Sequence, residues 1–156
     1  MLSVERLGVV LAPKDKEHAK FNAGMVKQGD KVHMLYRWSK STGIWTGEKT
    51  GIRYAEDFVS YAELTPEGKL VSDLDDKGFI KYYIEDPKTP LYSQDPRIVE
   101  FEGEYIIFFV RWDLDLCKVG MARTKDFKKV EPIGIIPTTD WDKDAFILPE
   151  RINGKI

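Results

Sequence analysis

Residues 95–111 have the sequence DPRIVEFEGEYIIFFVR, in which two runs of β-branched and aromatic residues flank the pair Glu102-Gly103. A Gly-containing pair between two such runs predicts a β-hairpin. The first run follows a polar residue, Asp95, and the second closes with Arg111. The same order of polar residue, strand, turn and strand recurs at two other places, so the stretch predicts an all-β chain built from repeats.

The first copy of this pattern begins at Asn22, turns at residues 28–30 and closes with Arg37. The third begins at Lys143-Asp144 and reaches a turn signal at Asn153-Gly154. Spacings of 73 and about 49 residues between the copies suit three- or four-stranded blades with unequal loops, which favours part of a β-propeller. A sandwich whose hairpins are similar by chance stays open as the alternative.

Short apolar runs bounded by Gly, Pro, Asp and Asn predict the individual strands. The helical candidate 14–20 has almost no apolar face and is expected to be a loop or a single turn. The predicted strands are Val4–Leu11, Ala23–Val26, Lys31–Tyr36, Val59–Leu64, Phe79–Ile84, Arg97–Phe101, Glu104–Arg111, Leu116–Ala122 and Phe146–Ile152.

Composition limits the classes of function. The 156 residues suit one domain, and 24 basic against 26 acidic residues give a formal charge of -2, which does not favour nucleic-acid binding. No apolar run approaches the roughly 20 residues that span a bilayer, and Glu5 and Arg6 lie where a signal peptide would be apolar. We therefore expect a cytoplasmic protein without a membrane partner. The single Cys117 is expected to pack as a small hydrophobe.

Metal sites are not expected. The stretch 73–78 begins like a calcium loop, but Ile84 stands where a bidentate Glu is needed, and 140–144 lacks the required Gly. His18 and His33 have no Cys or second His at ligand spacing. The chain also has no P-loop, no dinucleotide fingerprint and no serine-hydrolase elbow, so no cofactor is predicted.

Polar residues at the start of each repeat remain as the candidates for a site. In a propeller the entrances to the first strands converge on the central channel, where ligands bind. A structural reading exists for each of them, because Asn and Asp often start turns and a lysine is often a solvated charge. The candidates are Asn22, Asp95, Lys143 and Asp144.

Five strings in order along the chain resemble glycoside hydrolase family 130, which comprises β-mannoside phosphorylases and a few hydrolases. The strings are Phe21–Met25, Val32–Arg37, Asp95–Ile98, Lys143–Ala145 and Leu148–Lys155. The resemblance implies a five-bladed β-propeller with its site in the central channel. Residues 1–156 would be the amino-terminal portion of that domain, about two to two and a half blades. Further basic residues of the phosphate site would lie beyond this portion.

The resemblance also assigns roles to individual residues. It makes Asp95 the general acid, Asn22 and Ala23 contacts to the sugar, and Arg37 a contact to phosphate. The Lys143-Asp144 pair falls where the family binds phosphate and the reacting sugar, respectively. One departure is Gln94, because members usually carry Glu or Tyr before the acid.

The chemistry implied is phosphorolysis of a β-mannosidic bond to give α-mannose 1-phosphate. One acid protonates the departing oxygen, and inorganic phosphate, the co-substrate, attacks C1 without a general base. Hydrolysis by an inverting β-mannosidase would need a second carboxylate about 6.5–9.5 Å away, for which Asp144 is the candidate. A non-catalytic propeller fragment or sugar-binding remnant is the other alternative. The expected partner is a β-mannoside oligosaccharide; a homo-oligomer and a complementing chain both stay open.

Overall fold

The computed structural model describes residues 6, 8–41, 54–80, 82–83, 90–113, 116–137 and 141–156. They form two antiparallel sheets in which each strand pairs with the next along the chain. Sheet 1 contains β1 (His18–Gln28), β2 (Lys31–Ser41), β3 (Tyr54–Leu64) and β4 (Leu70–Asp73). Sheet 2 contains β5 (Tyr82–Tyr83), β6 (Pro90–Phe101), β7 (Glu104–Asp113), β8 (Leu116–Thr124) and β9 (Glu131–Ile135).

The only helical element among the described residues is a 3₁₀ turn at Asp75–Lys77. In that part of the chain no helix has the length and apolarity needed to cross a bilayer. The predicted all-β class is therefore confirmed, and each sheet corresponds to one blade of the expected repeat.

Strand β2 is buried on both faces, which explains its nearly continuous apolar sequence. Leu35 is fully buried in a core shared with Ile107 and Phe109 of β7, so this face joins the two sheets. Tyr36 and Trp38 lie on the opposite face of sheet 1, in a second apolar cluster. Sheet 1 therefore packs against sheet 2 on one face and carries a separate apolar cluster on the other face.

Strand β6 connects the two sheets. The fully buried Ser93 hydroxyl accepts a hydrogen bond from the Val59 amide at 2.9 Å and donates one to the Ile80 carbonyl at 2.5 Å. Nearby, the backbones of Gly24 and Pro96 approach so closely that a Cβ on Gly24 would lie 2.8 Å from the Pro96 oxygen. Strand β6 of sheet 2 is therefore held directly against sheet 1.

His33 contributes a second junction between the sheets. Its ring stacks on Phe127 with centroids 3.8 Å apart and planes 5° from parallel, and it shares a 2.8 Å hydrogen bond with the Tyr61 hydroxyl. Burial lowers the pKa of His33 below its usual 6.5. His33 is therefore a neutral core residue.

Several predicted elements differ in extent from the observed ones. Strands β2, β3, β6, β7 and β8 run longer than their apolar runs, because residues outside those runs, including the buried Ser39, Asp57 and Ser93, continue the same ladders. β4 and β9 were not predicted, since β4 is short and both are largely exposed. The predicted loop at 14–20 is a bend that enters β1 at His18. Of Phe79–Ile84 the strand is Tyr82–Tyr83, with 81 and 84 outside the described residues.

Two predicted strands are not found. Residues 8–11 are irregular, and the rest of Val4–Leu11, apart from Arg6, lies outside the described residues. The strand prediction for Phe146–Ile152 is wrong: this segment is irregular, with a bend at Pro149-Glu150, and its one backbone pairing is an isolated bridge between Ile152 and Lys155 across the Asn153-Gly154 turn. A strand needs a neighbour to satisfy its backbone groups, and none pairs with it in the part of the chain described.

Candidate active site

Two β-bulges place the candidate residues Asn22 and Asp95. The register of β1 on β2 shifts between Phe21 and Gly24, and that of β6 on β7 shifts between Gln94 and Arg97. Both residues have φ of 50°, a left-handed conformation that Asn and Asp tolerate better than most residues. The prediction that they stand before their strands is wrong, because each lies within one, at the bulge.

The two bulges face each other across the junction between the sheets. The Asn22 amide Nδ2 donates a 2.8 Å hydrogen bond to Asp95 Oδ1. The close approach of Gly24 to Pro96, one or two residues further along each strand, fixes the separation of the bulges. Residues 73 positions apart in the sequence therefore meet through side chains that the bulges direct toward one another.

Arg37 of β2 contacts the Asp95 carboxylate of this pair. Its Nε donates to Asp57 Oδ1 at 2.7 Å and its Nη2 to Asp57 Oδ2, while Nη1 lies 3.4 Å from Asp95 Oδ1. The guanidinium carbon also lies 4.9 Å from the centroid of the Phe21 ring. Burial opposes its charge, but the Asp57 carboxylate raises the pKa of Arg37 above its usual value. Arg37 thus links two carboxylates and stays cationic.

Asp57 of β3 is the most buried ionisable group of the cluster, with 3% of its surface exposed. Besides Arg37, it accepts hydrogen bonds from the Ser39 hydroxyl at 2.5 Å and from the Gln94 amide at 2.6 Å. Burial raises the pKa of the Asp57 carboxyl, and these three partners oppose that shift. Two of the partners come from β2 and one from β6, so Asp57 ties both sheets together beneath Asp95.

The third repeat reaches the site without forming a strand, contrary to the prediction that Lys143 opens one. Asp144 has φ of 59°, as at the two bulges, and accepts a 3.3 Å hydrogen bond from Arg97. The Asp142 amide donates to the Cys117 carbonyl at 2.9 Å. Burial raises the pKa of the Cys117 thiol, which also lies within electrostatic reach of Lys143, Asp144, Asp142 and Asp95.

The structure thus brings most of the predicted residues into one region. Asn22, Arg37 and Asp95 are in direct contact, and Ala23 is exposed beside Asn22. Asp144 joins through Arg97, two residues after Asp95, and the Lys143 ammonium lies 3.9 Å from Asp144. The sequence interpretation missed four residues that build the cluster: Ser39, Asp57, Gln94 in its hydrogen-bonding role, and Arg97.

No family model matches this chain. A curated relative, the β-1,2-mannobiose phosphorylase of Thermoanaerobacter sp. (strain X514), is 30% identical over 154 residues, which is 90% of this chain and 48% of the relative. The resemblance to the amino-terminal part of glycoside hydrolase family 130 is confirmed. The chain spans about half the length of this curated relative.

Solved structures of family 130 proteins share the fold. The β-1,2-mannobiose phosphorylase of Listeria innocua, solved with β-1,2-mannobiose, matches with a TM-score of 0.68 at 18% identity, over 92% of this chain and 52% of that one. A second structure comes from work on family 130 hydrolases that target β-1,2-mannosidic linkages in Candida mannan. It matches with a TM-score of 0.61 at 17% identity, over 81% of this chain and 38% of that one. The predicted fold class, part of a five-bladed β-propeller, is confirmed.

The departure from the family 130 pattern at position 94 has a structural reason. The Gln94 amide donates to the buried Asp57 carboxylate at 2.6 Å. An ionised Glu at this position could only accept hydrogen bonds and would place a second negative charge against Asp57. The amide is therefore the side chain that suits a site built around this carboxylate.

Proposed function

We propose that this chain forms the acid-bearing half of a β-mannoside phosphorylase site, with Asp95 as the general acid. The observation that carries the proposal is the cluster in which two bulges direct Asn22 and Asp95 together and Arg37 contacts the same carboxylate. The relative from Thermoanaerobacter supports phosphorolysis of a mannoside as the reaction. The products would be α-mannose 1-phosphate and the released sugar.

Asp95 would donate its proton to the glycosidic oxygen as the bond to C1 breaks. Asn22 and Arg37 both contact Oδ1, so we assign the transferable proton to Oδ2. Phosphate would attack C1 from the opposite face of the ring and invert its configuration, and as an anion it needs no general base. A single carboxylate at the reacting bond is then sufficient.

Some of the surrounding residues would contact the sugar, and others would contact the phosphate. Asn22, Ala23 and Asp144 are proposed sugar contacts, and all three are exposed at this end of the sheets. Arg37 and Lys143 are proposed phosphate contacts: Arg37 as a fixed guanidinium beside the acid, and the 65% exposed Lys143 as a mobile point charge. Arg37 would serve the anion while keeping its bonds to Asp57.

Hydrolysis is the second candidate, favoured by one observation. Asp144 supplies another carboxylate from the third repeat, 42% exposed and held by Arg97. Such a group could activate water if it lies about 6.5–9.5 Å from the acid. In that case Asp144 would be a general base instead of a sugar contact.

The test is to mix the purified chain with the carboxyl-terminal half of the Thermoanaerobacter relative, the part that this chain does not match. The mixture is incubated with β-1,2-mannobiose, with and without inorganic phosphate, and the products are followed by ³¹P and ¹H NMR. Mannose 1-phosphate formed only with phosphate, and lost in Asp95→Asn, supports the proposal. Free mannose formed without phosphate indicates the hydrolase. Binding of mannobiose in calorimetry without turnover indicates a sugar-binding fragment, and absence of both binding and turnover refutes the proposal for this chain.

A further inference from the structure

The Asp57 carboxylate has no role in the reaction proposed above, yet it accepts four hydrogen bonds from three side chains. We propose that Asp57 is a positioning residue that holds Asp95 in place and balances the charge of Arg37 beside it. The inference rests on the proposed role of Asp95 as the acid. Asp57 acts only through Arg37 and Gln94.

The first route from Asp57 to the acid passes through Arg37. Asp57 holds the guanidinium by two parallel bonds, to Nε and Nη2, and this fork fixes the plane of the group. The remaining terminal nitrogen, Nη1, is thereby directed at Asp95 Oδ1, 3.4 Å away. Without the fork, the guanidinium would lose the two bonds that fix its plane beside the acid.

The second route passes through the backbone of β6. Gln94 donates to Asp57 and is the residue directly before Asp95, at the point where the register of β6 shifts. Anchoring Gln94 therefore anchors the start of the bulge. Asp95 is held from one side by this backbone anchor and from the other by Arg37 and Asn22.

Charge balance gives Asp57 a second effect. A cation as close as Arg37 favours the ionised form of a carboxyl group, whereas a general acid must carry a proton. Asp57 offsets the positive charge of Arg37 within the same cluster. Other charged or titratable groups in this region are Arg97, two residues along the same strand and bonded to Asp144, and Cys117. Cys117 lies within electrostatic reach of Asp95, Asp142, Lys143 and Asp144.

The second sheet shows that the fold itself does not need this carboxylate. Relative to the bulges, Val110 of β7 occupies the place that Arg37 occupies in β2, because Arg37 pairs with Phe21 and Val110 with Gln94, the last paired residue before each bulge. By the same register, Cys117 stands where Asp57 stands in sheet 1. A blade therefore forms without an equivalent of Asp57, which appears only beneath the acid.

The test compares Asp57→Asn with wild type and with Asp73→Asn, using the full chain mixed with the same carboxyl-terminal half of the relative. Asp73 is the control because it is another carboxylate of sheet 1 in an ion pair, with Lys20, although it is less buried than Asp57. In Asp57→Asn we expect the alkaline fall in phosphorolysis to begin at lower pH, and kcat at neutral pH to drop on the order of tenfold with little change in the KM for mannobiose. Asp73→Asn should lower stability without moving the pH profile.

A second measurement does not depend on turnover. The ¹³C resonance of the Asp95 carboxyl is followed as a function of pH, and it should titrate at lower pH in Asp57→Asn than in wild type. If the mixture that contains the wild-type chain has no phosphorylase activity, the proposed function fails while this titration still tests Asp57. An unchanged Asp95 titration in Asp57→Asn, or an equal displacement in Asp73→Asn, overturns the inference.

The double variant Arg37→Gln/Asp57→Asn keeps the test informative if the single variant does not fold. It removes both charges, so no buried ion is left without a partner. If Asp57 balances Arg37, the Asp95 carboxyl should titrate in the double variant close to where it does in wild type. If Arg37 acts on Asp95 without that balance, the titration should move to higher pH, and the inference is refuted.

Discussion

Gly24→Ala should separate the two bulges of the candidate site. The added Cβ would lie 2.8 Å from the Pro96 carbonyl oxygen, 0.6 Å short of the 3.4 Å at which ordinary contact begins. That oxygen belongs to the backbone, so β1 and β6 must move apart. A comparable displacement would stretch the 2.8 Å bond between Asn22 and Asp95 to about 3.4 Å and weaken it.

Two effects of Gly24→Ala are expected. Overpacking at a backbone contact should lower the free energy of unfolding by about 1–3 kcal/mol. A displaced acid should also lower the phosphorolysis rate by up to about a hundredfold, because catalysis depends on positioning at that scale. Urea unfolding measures the first effect, and turnover of β-1,2-mannobiose with phosphate measures the second.

Gly29→Ala is the matched control. It adds the same methyl group at a turn where nothing lies within 4 Å, and its φ of 59° should cost about 1–2 kcal/mol through backbone strain alone. Its loss of stability should therefore resemble that of Gly24→Ala without a loss of turnover per folded molecule. The reasoning is refuted if Gly24→Ala retains the wild-type rate, or if both variants lose it equally.

Three further predictions follow from groups already described. Asp95→Asn should reduce the phosphate-dependent rate on an unactivated mannoside by about 10²–10⁴-fold, with a smaller loss on mannosides with activated leaving groups; retention of more than about a tenth of the rate would contradict the assignment. Arg37→Ala should cost about 3–5 kcal/mol in urea unfolding, because the buried Asp57 carboxylate loses its ion partner, and adding Asp57→Asn should recover part of this loss. The lowered pKa of His33 means that the unfolded chain takes up a proton near pH 6.5 while the folded protein does so only at lower pH, so stability should be full above pH 6.5 and fall below it; His33→Gln should flatten the fall, and an unchanged pH dependence would exclude His33 as its source.

The sequence predicted the strands that contain concentrated apolar residues. The run from Tyr105 to Val110 and its turn at Glu102-Gly103 gave the β6–β7 hairpin, and the repeat of this plan gave the all-β class. The exposed strand β9 was not predicted, because its residues show little alternation of buried and exposed side chains. Phe146–Ile152 has the apolar content of a strand but lacks a neighbour, which composition alone does not reveal.

The candidate residues were predictable in identity more than in arrangement. Asn22 and Asp95 stood out as polar starts of repeats, but the bulges that turn their side chains together depend on register, which a single strand sequence does not encode. Asp57 was missed because an Asp before an apolar run resembles an ordinary strand start. Its role depends on Arg37 and Gln94, which lie 20 and 37 residues away along the chain.

The left-handed backbone at Asn22, Asp95 and Asp144 has a consequence for mutational scanning of this site. At such φ angles Asn, Asp and Gly are accommodated readily, whereas β-branched side chains are strongly disfavoured whatever their chemistry. A saturation library at these positions would therefore deplete Val, Ile and Thr through misfolding before any assay of activity. Only exchanges among Asn, Asp and Gly would separate the chemical function of each side chain from the conformation that its backbone requires.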